Sequence, residues 1–218
     1  VLDEMTRASE RFGAREIVFF DETFTLEREW VLQLCEGILQ RGLLVPWNVR
    51  TRIDRLDADV VGAMAEAGCC RVHVGIETGS SRVQKLMNKN LRLDGVARAL
   101  QAARDAGLET RGYFMLGYPG ETPEEMEQTI QLSLDLPLDW ASFTLTIALP
   151  GTEIYEQARE QGLIPRDYWR DYTLGRVSEH PGYFTNAGLD VGQPESLLAQ
   201  AYRRFYLRPH VVGRKVVT

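Results

Sequence analysis

Strands and helices alternate along this chain, and that alternation restricts its fold more than any other feature. Glu16-Ile17-Val18-Phe19-Phe20 is a short β-rich run ending at Asp21. After it, Trp30, Val31, Leu34, Cys35, Ile38 and Leu39 recur at helical spacing, with Gly42 as a stop. A second strand is predicted from Val45 to Arg52, with a helix from Asp57 to Gly68 behind it. Arg71 to Ile76 reads as a third strand ending at Glu77, and the long helical stretch from Ser81 to Gly107 has a break near Asn88 to Asn90. A fourth strand, Glu109 to Leu116, runs into Gly117-Tyr118-Pro119-Gly120-Glu121. Thr122 then caps a helix that has Pro123 at its first position and Glu125 closing a capping box. A fifth strand is predicted from Trp140 to Ala148, and a helix from Thr152 to Gln161 stops at Gly162. Beyond it, Pro165 to Pro194 is aromatic, punctuated by Gly and Pro, and reads as largely irregular. A last helix from Pro194 to Leu207 carries Leu197, Leu198, Ala201, Tyr202 and Phe205 on one face.

Strand–helix–strand repetition implies an α/β protein with a parallel sheet and right-handed crossovers. Polar residues follow every strand: Asp21-Glu22, Arg52 with Asp54, Glu77-Thr78, Gly117 to Glu121, and Thr144 to Gly151. In barrels and open α/β sheets these carboxyl ends hold cofactors and substrates. Any one such cluster is an ordinary turn; five in succession point to a site on that face.

Charge narrows the partners. With 25 Lys+Arg against 31 Asp+Glu and a net charge of −6, the chain lacks the basic balance of a nucleic-acid or anionic-membrane binder. The basic residues near the end (Arg203, Arg204, Arg208, Arg214, Lys215) read as a short solvated run. No apolar stretch is long enough to span a bilayer, and Val1 to Glu10 is an acidic, helix-like start without signal-peptide layout. Three cysteines, two of them adjacent at Cys69 and Cys70, form no disulfide framework and fit a cytoplasmic location.

The ordered strand ends resemble the core of a radical S-adenosylmethionine enzyme. Phe19-Phe20-Asp21-Glu22-Thr23-Phe24 is similar to the family's second-strand ending, and Trp47 to Asp54 to its third strand. Ala67-Gly68-Cys69 matches the approach to the next strand. Gly75-Ile76-Glu77-Thr78-Gly79-Ser80 resembles the fourth-strand motif, and Phe114 to Thr122 the fifth-strand glycine turn. Leu149-Pro150-Gly151-Thr152 with Tyr155 resembles the end of the sixth strand. The resemblance covers about Val1 to Gly162 in preserved order. It implies a partial (β/α)6 TIM-like barrel over residues 1–162, with about five strands present, and a C-terminal extension over 163–218 packing on it. Tyr202 to Pro209 also resembles the helix that follows the barrel in members with a cobalamin-binding domain, among them methyltransferases.

One departure stands out. The family holds a [4Fe–4S] cluster with cysteines spaced C-x3-C-x2-C, and this chain has no such triplet. Cys35 reads as a small buried hydrophobe on a helix, and Cys69 and Cys70 lie at the amino end of a strand. The resemblance therefore implies a stretch that begins after the cluster segment, with the cluster ligands, and any cobalamin domain, outside it. Such a stretch is expected to bind S-adenosylmethionine weakly and to generate no radical alone. An external electron donor and a small-molecule substrate are the other implied partners.

The resemblance assigns cofactor binding to Asp21, Glu22, Arg52, Glu77, Gly117, Tyr118, Gly120 and Thr146. Asp21, Glu22 and Thr23 suit the cofactor's ammonium, for which carboxylates are acceptors; a strand-end turn with a threonine cap explains them as well. Glu77 suits the ribose hydroxyls or the amino group, or else an ion pair with Arg52 or Arg82. Arg52 fits a carboxylate bidentately or orients Glu77 or Asp54. Gly117 and Gly120 permit close backbone approach or a turn with positive φ, while Tyr118 shapes the pocket. Glu121 reads as local to the turn and the next helix start, where its charge is favourable. Thr144, Thr146 and Ala148 alternate as a small polar wall. His73 reads as a satisfied core histidine, and His180 and His210 have no ligand spacing. The aromatics from Tyr155 to Tyr183 close a barrel mouth or form a satellite core. Two alternatives remain at this point: a barrel with ordinary acid–base chemistry on a phosphorylated small molecule, using Glu77, Arg52 and Asp21, and a non-catalytic binding barrel.

Overall fold

The computed structural model describes residues 1–89, 91–147, 149–164, 167–177, 193–209 and 211. Chain order is α1 (Leu2–Phe12), β1 (Ile17–Phe19), α2 (Arg28–Gln40), β2 (Trp47–Thr51), α3 (Ala58–Glu66), β3 (Cys69–Glu77), α4 (Ser81–Leu86) and α5 (Leu93–Asp105). It continues with β4 (Glu109–Leu116), α6 (Pro123–Asp135), β5 (Trp140–Leu145), α7 (Glu153–Glu160), α8 (Tyr168–Thr173) and α9 (Gln193–Tyr206). The strands form one sheet of five in sequential order. All run parallel, as the α/β reading requires. β1 pairs with β2 through Val18↔Asn48, and β2 with β3 through Arg50↔His73, after an irregularity at Trp47/Asn48.

The residues fall into two compact units that interleave along the chain. The first is Val1–Ile76, Leu91–Tyr113 and Ser133–Ser142; the second is Glu77–Asn90, Phe114–Leu132 and Phe143–Thr218. The core of the first follows from strand periodicity. Trp47, Val49, Val72 and Val74 are fully buried, and the Trp47 ring meets Phe19 and Phe24 at 5.5 and 5.7 Å. Trp47 Nε1 donates to the Ala67 carbonyl at 2.8 Å, which lets a polar indole nitrogen sit in an apolar core. Thr25 and Thr51 are also buried and share a 2.5 Å hydroxyl pair. Asp57 accepts from the Val60 amide at 2.9 Å and so starts α3.

In the second unit, the capping box is formed as expected. Glu125 N donates to Thr122 Oγ1 at 3.3 Å, and Thr122 N donates to Glu125 Oε2 at 3.0 Å. Tyr155 and Ala158 of α7 are buried with Ile154, Leu163, Ile164 and Trp169 packed against them, a satellite core as expected for part of the aromatic segment. In α9, Tyr202 Oη donates to the Phe143 carbonyl at 3.0 Å and accepts from the Phe143 amide at 3.1 Å.

Several boundaries differ from expectation. β2 ends at Thr51, because Arg52 opens a short 3-10 turn, Ile53–Arg55. β3 extends to Cys69 and Glu77 at its two ends, and the adjacent cysteines belong to its first residues. β5 stops at Leu145, short of Ala148, which lies outside the described residues. The stretch after Pro165 is not wholly irregular. Asp167 accepts from the Arg170 amide at 3.1 Å and from Tyr155 Oη at 2.9 Å, and this capping supports α8. His180, Tyr183 and His210 lie outside the described residues.

Candidate functional site

The second unit contains the larger polar constellation, centred on the turn after β4. Gly117 and Gly120 take φ of 78° and 76°, left-handed values that a Cβ would strain. Glu121 folds back beneath them. Its Oε2 accepts from the Gly117 and Tyr118 amides at 2.6 and 3.0 Å, and Oε1 receives the Thr78 hydroxyl at 3.5 Å. Glu121 is 1% exposed. Burial pushes its carboxyl up to about 7, against the pull of those two amides toward the charged form. Glu121 is local to the turn, as expected, but as a buried strut accepting from its amides and not as a charge at the helix start. Its signal in the sequence was a carboxylate four residues after Gly117, but turns carry no periodicity to reveal burial.

Thr78 ties the end of β3 into the same network. Its hydroxyl meets Thr129 Oγ1 at 3.0 Å and accepts from the Ser80 amide at 3.1 Å, while Gly79 N donates to Thr129 Oγ1 at 2.9 Å. Gly79 has no room for a side chain, since a Cβ there would meet the Gln128 carbonyl oxygen at 2.6 Å. Glu125 accepts from Ser80 at 2.7 Å and pairs with Arg82 at 2.5 Å. Arg82 holds the Glu125 carboxyl down, at about 2.

Glu77 belongs to this unit with φ of 69°, a left-handed conformation costing a non-glycine residue about 1–3 kcal/mol. Its carboxylate pairs with Lys89 at 2.6 Å, not with the expected Arg52 or Arg82. Both groups are about one-fifth exposed, so the pair is half-sheltered at the strand end. Thr146 lies just beyond β5, where its amide donates to the Leu116 carbonyl at 2.8 Å, one residue before Gly117. The residue is 2% exposed, and its hydroxyl has no partner among the described residues. Thr144, by contrast, is exposed, and its hydroxyl reaches the Phe114 carbonyl at 3.4 Å. The structure thus brings Gly117, Tyr118, Gly120 and Thr146 together, with Glu77 adjoining through Thr78.

Asp21, Glu22 and Arg52 belong to the first unit. Asp21 and Glu22 are exposed after β1, and Arg52 forms two 3.0 Å hydrogen bonds with Asp54, settling its open partner in favour of Asp54. The expectation for His73 is corrected in part. Nδ1 meets Tyr113 Oη at 2.9 Å, but buried Nε2 has no partner among the described residues.

The cysteines do not fit an iron–sulfur cluster. Cys35 is buried in α2, and burial pushes its thiol up to about 11. Burial also raises Cys69, while Cys70 donates to the Trp47 carbonyl at 3.3 Å. A cluster needs thiolates, which apolar burial opposes. Among the described residues no three His, Cys, Asp or Glu side chains form a metal-holding group.

Compared with known proteins, residues 1–133 match the Radical SAM superfamily. The chain is 34% identical over 216 residues to an uncharacterized methyltransferase, PH0819, of Pyrococcus horikoshii, covering 99% of this chain and 46% of that protein. It is 28% identical to cytidylyl-2-hydroxyethylphosphonate methyltransferase of Streptomyces wedmorensis, across 94% of this chain and 39% of the relative. Among solved structures, the radical S-adenosylmethionine methyltransferase TsrM of Kitasatospora setae, with cobalamin and a [4Fe–4S] cluster bound, superposes with a TM-score of 0.75 at 19% identity. That match covers 96% of this chain and 46% of TsrM, and it shows a shared fold. The chain spans less than half the length of each of these proteins.

Proposed function

The chain belongs to the radical S-adenosylmethionine superfamily, and from that premise we propose that its second unit carries the S-adenosylmethionine-binding wall of such an enzyme. The observation that carries this is the Gly117–Glu121 turn, braced from below, with the unmatched Thr146 hydroxyl beside it. A backbone held this way presents its outer edge to a ligand without reorganisation, and an unpaired hydroxyl supplies one hydrogen bond to it. Gly117, Tyr118, Gly120 and Thr146 would hold the nucleoside end of the cofactor. Glu77, an acceptor kept in place by Lys89, suits its hydroxyls or ammonium. Asp21, Glu22 and Arg52, at strand ends of the first unit, are a separate proposal for cofactor contact, resting on their own unit alone, with Arg52 leaving Asp54 to take part.

When bound to a reduced cluster, the cofactor supplies a 5′-deoxyadenosyl radical; the protein's part is to bind, orient and exclude water. No step at the cluster is assigned to this chain, because its cysteines do not fit one. The proposal places cluster ligation, with any cobalamin, outside these residues. The relatives support methyl transfer to a small molecule as the outcome in the whole protein, with an external electron donor. Among the described residues no helix is long and apolar enough to cross a membrane; a cytoplasmic setting and a barrel core over 1–162 with its extension over 163–218 belong to the same proposal.

Equilibrium dialysis with radiolabelled S-adenosylmethionine tests it. Thr146→Val is expected to weaken binding at least five-fold while leaving the unfolding midpoint in place. Equal affinity for wild type and variant removes Thr146 from the site, and no measurable binding by the wild type at millimolar cofactor rejects the wall itself.

A further inference from the structure

One face of the sheet in the first unit collects positive charge that the described residues neutralise only in part. Alternate residues of a strand share a face, so Asn48 and Arg50 of β2, Arg71 and His73 of β3, and Arg111 and Tyr113 of β4 stand together. The register Arg50↔His73 and the His73–Tyr113 hydrogen bond fix that arrangement. On the opposite face of the same strands, Val49, Val72 and Val74 are fully buried. The charged face is therefore the one not given to the core.

Two carboxylates belong to this face, and both serve Arg71. Glu109 pairs with it at 2.6 Å and Glu16 at 3.5 Å, and Glu16 also accepts from Asn48 at 2.6 Å. Arg50 and Arg111 have aromatic neighbours instead. The Arg50 guanidinium lies 4.2 Å from the centre of the Phe20 ring, and that of Arg111 lies 5.5 Å from Trp140. No carboxylate pairs with either among the described residues, and Arg111 Nε is buried without a hydrogen-bond partner. His73, 8% exposed, is also left with an unmatched Nε2.

From this geometry we infer that the face formed by Arg50, His73 and Arg111 binds the oxyanion group of a small molecule, a phosphate, phosphonate or carboxylate on an apolar body. The cations supply the charge, and a planar guanidinium can grip an oxyanion with two parallel hydrogen bonds. Phe20 and Trp140 supply flat apolar surface for the remainder of the ligand. In a chain with a net charge of −6, Arg50 and Arg111 stand on the strands either side of His73 with no carboxylate partner among the described residues, and an anion would supply the missing charge. The state of His73 agrees with this. Burial and then the charges of Arg111, Arg71 and Arg50 hold its imidazole down to about 4, with Glu16 opposing, so it is neutral at pH 7 and a bound anion would raise it. The inference rests on residues of the first unit and does not depend on the second-unit wall proposed above.

Calorimetric titration of the 218-residue chain at pH 7 and low salt with phenyl phosphate, benzoate and phenol tests the inference. Phenyl phosphate or benzoate is expected to bind and phenol not to. Binding of the phosphate alone assigns a phosphate or phosphonate ligand, binding of benzoate alone a carboxylate, and both outcomes support the site. Arg50→Gln, at an exposed position that leaves the core untouched, is expected to weaken binding at least ten-fold, and Arg111→Gln similarly. In saturating anion the His73 titration midpoint, followed by NMR, moves upward. Absence of binding by both anions, equal affinity in the Arg50→Gln protein, or an unmoved His73 midpoint overturns the inference.

Discussion

The two units treat their polar groups in opposite ways. Around Glu121 in the second, almost every donor meets an acceptor: two amides and a hydroxyl on one carboxylate, Thr78 shared among Ser80 and Thr129, and Glu125 held by Ser80, Arg82 and Thr122. On the charged face of the first unit, Arg111 Nε and His73 Nε2 are unmatched, and Arg50 has an aromatic ring and no carboxylate beside it among the described residues. A satisfied network rigidifies, whereas an unsatisfied one stores affinity for whatever completes it. In the second unit the polar groups shape a surface, and the Thr146 hydroxyl is left without a partner among the described residues. The first unit leaves the recognition groups themselves open.

That contrast breaks first at Glu121. Glu121→Ala strips two turn amides of their acceptor, and at about 1–3 kcal/mol for each group left unsatisfied the variant is expected to lose on the order of 3 kcal/mol in urea unfolding. Glu121→Gln keeps an acceptor and loses less, and it alters the pH dependence. The carboxyl sits at about 7 in the fold and at an ordinary value near 4.5 when unfolded. The native state therefore holds the extra proton between these values, and wild-type stability falls as pH rises from about 4.5 through 7. A flat wild-type profile across that window, once other groups are matched by the Gln variant, would contradict the burial of this acid.

Gly79→Ala comes next. Its Cβ would strike the Gln128 backbone, so a loss of about 2 kcal/mol is expected; a neutral result would mean that the Gly79 and Gln128 backbones can part without cost. Arg82→Ala is smaller, about 1 kcal/mol at neutral pH. It releases Glu125, whose carboxyl now lies at about 2, so the stability this acid contributes is present above about 4.5 and is lost as pH falls through 2. In the variant that loss is smaller and is complete at higher pH, which carboxyl NMR titration would follow. The least effect is expected on the other side of the comparison. Arg50→Gln, on the unsatisfied face, should change stability by under about 0.5 kcal/mol, or raise it by removing repulsion. A large loss there would mean that Arg50 serves the fold.

Local chemistry decided which of these features could be read in advance. β4 from Glu109 to Leu116, the break near Asn88, and the Thr122–Glu125 capping box depend on neighbours within a few residues, and the structure has them as expected. The turn after β4 and the strand-end location of Glu77 were legible for the same reason. The partners were not. Lys89 for Glu77, Thr78 for Glu121 and Tyr113 for His73 lie 12 to 43 residues away in sequence, and no periodicity pairs them. Glu121 was legible as local to the turn and the helix start, but the sequence shows its charge and not its burial. The short helix α8 depends on one cap, Asp167, inside a stretch whose prolines and glycines dominate its pattern.

The interleaving of the two units has a bearing on synthesis. Residues of the first end at 76, resume from 91 to 113, and finish with 133–142. A ribosome adding on the order of 10 residues per second therefore delivers the last piece of the first unit only after most of two segments of the second have emerged. The first unit is complete at residue 142, whereas the second waits for residues 143–218. The nascent chain passes through a period in which β1, β2 and β3 have left the exit tunnel while Ala141, destined to be buried, has not.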